Sequence, residues 1–279
     1  MAVNIASTTN HREREKGFLV YPVYSRRAGG LSIGINLFPD KKSCLFDCPY
    51  CEVFPFSSNA KFLLEQMGED LRIAVSSAQS QNIPIKDICL SGSGEPTLSP
   101  AFTDVLKFAE NIRAEAASDS ELVVITNGTG LLQERIFSFL AEMAKNPMLN
   151  IWLKLDAGTP DWYQKMNRCE IPFEALAQKA KEFAACTPVT IQTMLCSINN
   201  EPPPADEAQA WESLVCELAL TAKFPHGGIR KVQLYGKARS APQDPLASQL
   251  PLEYLEKRAV SLRKTFSEKE LKVPVEIYL

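Results

Sequence analysis

Apolar and polar positions along the chain fall into a repeating order of short strand and longer helix. Leu31-Ser32-Ile33-Gly34-Ile35-Asn36-Leu37 alternates strictly, with apolar residues at odd positions, and predicts a strand. A helix is expected from about Asn59 to Ser80, then a short apolar strand, Asp87–Leu90, ending in Ser91-Gly92-Ser93-Gly94-Glu95-Pro96. The unit then recurs. Helix 100–116 leads to strand 121–126 and the turn Asn127-Gly128, and helix 131–145 to strand 150–156 and the turn Asp156-Ala157-Gly158. Helical stretches near 160–168 and 173–185 precede strand 188–195, and helix 205–222 precedes strand 230–235, which ends at Gly236. A helix near 251–267 and a strand near 272–278 close the sequence. Six strand–helix alternations predict a parallel sheet with helical crossovers.

The two faces of those strands differ. Residues two apart share a face. Ile151, Leu153 and Leu155 fall opposite Trp152, Lys154 and Asp156; Val189, Ile191, Thr193 and Leu195 opposite Thr190, Gln192 and Met194; Val232 and Leu234 opposite Lys231, Gln233 and Tyr235. An open doubly wound sheet needs apolar residues on both faces, and a closed eight-stranded barrel is filled with branched apolar side chains. One apolar and one polar face instead predict α/β architecture of the partial (β/α)6 TIM-type barrel kind, curled around a solvent-filled lateral cleft. In such folds ligands bind at the carboxyl ends of the strands, where the Gly-rich turns stand. The expected division is a polar N-terminal segment 1–19, a barrel domain 20–240 and a C-terminal helix and strand, 241–279.

Composition changes this picture little. The hydrophobic share of 45% and charged share of 23% suit an ordinary globular domain. No apolar run reaches membrane-spanning length, and the polar stretch Met1–Lys16 lacks the apolar core of a secretory signal, so a cytoplasmic protein with no membrane partner is expected. Net charge is −3, which argues against a large nucleic-acid-binding face. Residues 1–42 nevertheless carry Arg12, Arg14, Lys16, Arg26, Arg27, Lys41 and Lys42 against only Glu13, Glu15 and Asp40. That lead-in could hold a phosphate-bearing substrate or be a solvated face.

Chemistry concentrates in Cys44-Leu45-Phe46-Asp47-Cys48-Pro49-Tyr50-Cys51, three thiols within eight residues. A loop this short can wrap its sulfurs round one soft metal centre. Iron–sulfur clusters are held by thiolates, commonly four to a cubane. Three local cysteines therefore point to a cubane with one iron open to a ligand. Closed tetrahedral zinc needs a fourth ligand, and His11 and His226 are not at finger-like spacing. A zinc site or a structural iron–sulfur module is the non-catalytic alternative. Cys89, Cys169, Cys186, Cys196 and Cys216 lie scattered in apolar or helical stretches and read as small buried hydrophobes, with a second cluster drawn from the last four a further alternative. The turn Ser91–Pro96 has the look of a phosphate cradle but lacks the Lys-Ser/Thr of a P-loop.

The loop Cys44-x-x-x-Cys48-x-x-Cys51, with Tyr50 before its last cysteine, resembles the cluster motif of radical S-adenosylmethionine (SAM) enzymes, and Ser93-Gly94-Glu95-Pro96 resembles their Gly-Glu-Pro motif. Ser25-Arg26-Arg27, Gly34–Leu37, Ser91–Leu98, Leu155–Gly158 and Leu234–Arg239 resemble a bacterial and archaeal subgroup, loosely similar to the radical SAM synthases of wyosine-type tRNA bases. The resemblance spans roughly residues 20–240. It implies a [4Fe–4S] cluster on Cys44, Cys48 and Cys51 and SAM on the open iron. It also implies a reductase, ferredoxin or flavodoxin as electron donor. Ser93, Gly94 and Glu95 would accept from the SAM ammonium. Tyr50 and the backbone at Leu234, Tyr235 and Gly236 would lie beside adenine, with the Asn127 turn also on the cofactor. Lys154, Asp156 and Gln192 are candidates for ribose, carboxylate or substrate contacts, from the face they share. A tRNA or other phosphate-bearing substrate would be met by Arg26 and Arg27. The wyosine synthases carry further cysteines upstream of the motif, and this chain has none before Cys44, so a second cluster there is not implied.

Overall fold

The computed structural model describes residues 18–222 and 227–279. His11, His226, Arg12, Arg14, Lys16 and nearly all of the expected segment 1–19 lie outside the described residues. Two compact units divide the chain. The first comprises the chain up to Cys44 with Pro55–Thr126 and Asn146–Asn150; the second comprises Leu45–Phe54, Asn127–Lys145 and Ile151–Leu279.

In the first unit β1 (Val20–Ser25) pairs antiparallel with β2 (Gly30–Ile35), and β2, β3 (Ile85–Leu90) and β4 (Glu121–Thr126) run parallel in that order. The alternation that marked β2 buries Leu31, Ile33 and Ile35, and Ile33 stands beside Ile88 of β3. Strand β1 was not expected. Pro22 breaks its propensity pattern, yet at a sheet edge a proline forfeits no ladder bond. The helix α1 (Leu64–Ser80) buries Met67, Leu71, Ala74, Val75 and Ala78, a stripe at helical spacing. It begins five residues later than Asn59 because residues 57–58 are held extended. Ser57 bridges Lys41, and Ser58 N–H donates to Asp40 O at 2.7 Å. The second helix, α2 (Phe102–Ala116), follows a 3-10 turn at Pro96–Leu98.

The second unit holds a 3-10 turn (Thr129–Leu132), α3 (Glu134–Met143), α4 (Pro160–Met166), α5 (Phe173–Cys186), α6 (Ala205–Leu220) and α7 (Leu252–Glu268). Its strands are β5 (Leu149–Lys154, whose first two residues group with the first unit), β6 (Pro188–Ile198), β7 (Gly228–Gly236), β8 (Ala247–Gln249) and β9 (Val275–Tyr278). β5, β6, β7 and β9 run parallel in that order, and the three-residue β8, too short to be legible, pairs antiparallel with the end of β6. Register aligns the polar face as expected: Lys154 beside Gln192, Gln192 beside Gln233, Met194 beside Tyr235. At mid-strand that face is closed, not solvent-filled. Thr190, Gln192 and Gln233 are fully buried, and the Gln192 amide donates to Gln233 Oε1 at 2.7 Å, so the polar layer satisfies itself across the strands. No helix among the described residues is long and apolar enough to cross a membrane.

Candidate functional site

Two groups of residues beyond strand ends carry the chemistry. In the first unit, β2 runs into Asn36 and then the segment that reaches Cys44, while β3 ends in the turn Ser91–Pro96. Asn36 ties the two together. Its Oδ1 accepts from Phe38 N–H at 3.1 Å and from Ser93 N–H at 3.0 Å, and its amide donates to Phe18 O and Phe38 O. Ser43 then clasps the turn on both sides of Gly94: Ser43 N–H donates to Ser93 O at 3.0 Å, and Glu95 N–H donates to Ser43 O at 2.8 Å. A Cβ at Gly94 would stand 1.9 Å from Ser43 O, so no other residue permits this approach. The Glu95 carboxylate, 3% exposed, accepts through Oε1 from Thr97 N–H, Thr97 Oγ1 and Thr126 Oγ1, which fastens the turn to the end of β4. Two motifs nearly fifty residues apart in sequence are thereby joined backbone to backbone, one residue from the first cysteine.

In the second unit the centre is Asp156, whose side chain is wholly buried. Its Oδ1 accepts from Lys154 Nζ at 3.0 Å and Met194 N–H at 2.8 Å; its Oδ2 accepts from Tyr50 OH and from Asn167 Nδ2 at 3.3 Å. Lys154 Nζ also donates to Tyr235 OH and lies 5.0 and 4.8 Å from the Tyr50 and Tyr235 ring centroids. Burial pulls the Lys154 ammonium down, but Asp156, Tyr235 and Cys48 outweigh it and hold the group above the ordinary lysine value. Burial, with Asp156 and Cys48 after it, raises the Tyr50 phenol well above its usual range, so it stays a donor. Asn167 Nδ2 also donates to Cys48 Sγ at 3.5 Å. Burial first, and then Asp156, push the Cys48 thiol up to about 11.

The cysteine loop itself has little regular structure and is held from outside. Cys51 N–H donates to Cys48 O at 3.0 Å, closing the turn between the last two thiols. Asp47 N–H donates to Asn167 O at 2.9 Å, the Asp47 carboxylate lies 3.7 Å from Arg168 and accepts from the Gln243 amide, and Glu52 pairs with Arg239 at 2.6 Å.

The expected residues divide accordingly. Tyr50, Lys154, Asp156 and Tyr235 meet in one network; Ser93, Gly94 and Glu95 meet at Ser43. Gln192 lies deeper on the same face and spends its amide on Gln233. Leu234 is fully buried in β7, which ends at Gly236. Asn127 caps its own turn, accepting from Thr129 N–H and Oγ1, and with Asp156, Asn167 and Tyr163 lines a cavity of about 30 Å³, room for water and nothing larger. Arg26 and Arg27 are displaced from the chemistry: they sit in the β1–β2 turn, with the whole of β2, roughly 20 Å at strand rise, between them and Asn36. Asn36 and Asn167 were missed. Asn36 lies within the stretch Gly34–Leu37 but was not singled out, Asn167 belongs to no motif, and only the fold chooses their partners.

The three loop cysteines form no disulfide and are half-buried. Among the described residues no three His, Cys, Asp or Glu side chains are arranged to hold a single metal ion. A cluster makes a different demand, since each thiolate takes its own iron. Three thiols outside any disulfide on a clamped loop, with Cys48 already accepting an N–H, suit that donor set.

No protein-family model matches the chain. It is similar to UPF0026 proteins: 31% identical over 127 residues to one from Helicobacter pylori (strain J99), covering 43% of this chain and 38% of that protein. It is 30% identical over 154 residues to one from Synechocystis, covering 53% of this chain and 51% of that protein. The chain spans about half, or less, of the length of the curated relatives it matches. Among solved structures it is similar to a radical SAM methyltransferase from Sphaerobacter thermophilus, with a TM-score of 0.64 at 14% identity over 92% of this chain and 68% of that one. It is also similar to Streptococcus suis SuiB bound to S-adenosylmethionine, with a TM-score of 0.64 at 14% identity over 85% and 48%, and to TYW1 with a lysine-pyruvate adduct bound, with a TM-score of 0.54 at 15% identity over 84% and 73%. These likenesses show the fold alone: an α/β partial barrel like that of the radical SAM methyltransferase, as the strand faces led one to expect.

Proposed function

We propose that this chain is a radical SAM enzyme in which Cys44, Cys48 and Cys51 hold a [4Fe–4S] cluster and S-adenosylmethionine occupies its open iron. The carrying observation is the clasp of Ser43 on Gly94, which sets the turn Ser93-Gly94-Glu95-Pro96 one residue from Cys44. When bound and reduced, the cluster would supply the electron for reductive cleavage of S-adenosylmethionine, and the 5′-deoxyadenosyl group released would take hydrogen from substrate. The chain's own residues bind and orient. The Ser93 carbonyl spends one lone pair on Ser43 and keeps the other for an ammonium donor. Tyr50 and Tyr235 both hold their rings about 5 Å from the charged Lys154, which could meet an anionic group. Asp156 keeps that lysine in place and is saturated with donors, so its part is to position rather than to take a proton.

The electron comes from a low-potential donor of the ferredoxin, flavodoxin or reductase class. The substrate reading is narrower. A phosphate-bearing molecule held at Arg26 and Arg27 must extend beyond the roughly 20 Å of β2 that separates them from Asn36, as a tRNA can. Co-purification of tRNA that is lost on Arg26→Ala/Arg27→Ala tests that extension. The core reading is tested by anaerobic reconstitution, SAM and a strong reductant. About four irons per chain and release of 5′-deoxyadenosine, both lost in Cys48→Ala, are expected. A fully loaded protein that forms no 5′-deoxyadenosine refutes it.

A further inference from the structure

We propose that Asn167 is a positioning residue for Cys48, and that its side-chain amide sets how readily a cluster on that thiolate accepts an electron. The inference rests on the cluster reading above and adds a residue that no spaced motif contains. Asn167 follows α4 and is 2% exposed. It grips the cysteine loop twice. Its carbonyl accepts from Asp47 N–H, and its Nδ2 lies 3.5 Å from Cys48 Sγ and 3.3 Å from Asp156 Oδ2. The orientation of the amide is not arbitrary. An ionised carboxylate only accepts, so the NH2 end must face Asp156, and its second hydrogen is left for sulfur. The neighbouring Arg168, at φ +48°, is held in its turn beside Asp47, so the backbone that aims Asn167 is itself fixed.

The electrostatic consequence follows from what stands on each side. Asp156 and a Cys48 thiolate are both anions, and the Asn167 amide, like the Tyr50 hydroxyl, is a donor that meets both. Reduction adds negative charge to a cluster; a hydrogen bond to the ligand sulfur stabilises that charge and raises the potential, while removing that donor beside a carboxylate does the reverse. Because the Asp47–Asn167 bond uses only the backbone, replacing the side chain leaves one of the two grips in place.

The experiment is an anaerobic redox titration of the reconstituted protein without SAM, read by electron paramagnetic resonance of the reduced cluster, on wild type, Asn167→Leu and Asn167→Asp. Asn167→Leu removes the donor while keeping the branching and heavy-atom count of the side chain; Asn167→Asp keeps the shape and replaces the donor with an acceptor. Both are expected to hold the wild-type complement of iron. At the potential where wild type is half reduced, each is expected to show a reduced-to-oxidised ratio lower by about tenfold, equivalent to about 59 mV for one electron. Ratios within twofold of wild type at full iron content overturn the inference. So does a folded pair of variants that holds no iron, which would make Asn167 a scaffold residue only. A wild-type chain that takes up no cluster sinks the functional reading and this inference together; unchanged variants of a protein that does cleave SAM sink this inference alone.

Discussion

Gly94→Ala is the substitution on which the architecture of the site can be judged most directly. The added methyl would lie 1.9 Å from Ser43 O, 2.7 Å from Ser43 C and 2.9 Å from Phe38 Cδ2, and the first two obstacles are backbone. Ser43 must therefore retreat by at least 1 Å, since real Cβ contacts do not fall below 3.0 Å. That retreat breaks the bonds of 3.0 and 2.8 Å flanking Gly94. Two backbone bonds at about 1 kcal/mol each, with overpacking of about 1–3 kcal/mol, give a loss of about 3–5 kcal/mol. Cys44 moves with Ser43, so iron uptake should fall as well. Gly29→Ala is the control. Gly29 has φ +73° and nothing within 4 Å of an added Cβ, so its cost is backbone strain of about 1 kcal/mol with iron uptake unchanged. Urea unfolding with iron determination after anaerobic reconstitution measures both. Equal stability and equal iron in the two variants would refute the clasp.

Two further outcomes are expected. Burial raises the Asp87 carboxyl from 3.8 to about 6, with Glu121 adding to it and Ser32 and Arg27 opposing. The folded state then binds more protons than the unfolded one between about pH 4 and 6, so stability falls as pH rises through that window, by about 3 kcal/mol once the group is ionised. Asp87→Asn should flatten this part of the stability–pH curve, and an unchanged difference between pH 4 and pH 7 would show that Asp87 is not its source. Lys154→Met leaves the fully buried Asp156 side chain without its cation and should cost about 3–5 kcal/mol, with Lys154→Met/Asp156→Asn recovering part of it; a single-variant loss under about 1 kcal/mol in chemical denaturation counts against the pairing.

What the sequence disclosed, it disclosed where interactions are local or periodic. The strict alternation of 31–37 gave β2, two residues too long, the apolar run 188–195 gave the first eight residues of β6, and the partial barrel followed from the faces of the strands. The three thiols and the Gly-Glu-Pro turn were legible because their chemistry is written in short spacings. The rest depended on long-range choices. Pro22 disguised an edge strand, and the bond from Ser58 to Asp40 delayed α1, a partner eighteen residues away. A lysine and an aspartate two apart on one strand face could have been an exposed pair; Tyr50, from a distant loop, and Tyr235, from β7, are what make them a buried network. The polarity of Gln192 read as an invitation to ligand, and the neighbouring Gln233 answered it instead.

The anchoring of the cysteine loop bears on the order of events in the living cell. Asp47 and Glu52 are fastened to Asn167, Arg168, Arg239 and Gln243, residues that leave the ribosome long after Cys51. At about 5–20 residues per second, some ten seconds or more separate the emergence of the thiols from that of Gln243. Through that interval the nascent segment is a tether of unclamped cysteines, open to oxidation or to the wrong metal. A cluster on these thiols, as proposed, would therefore find its loop fully anchored only after Gln243 has emerged.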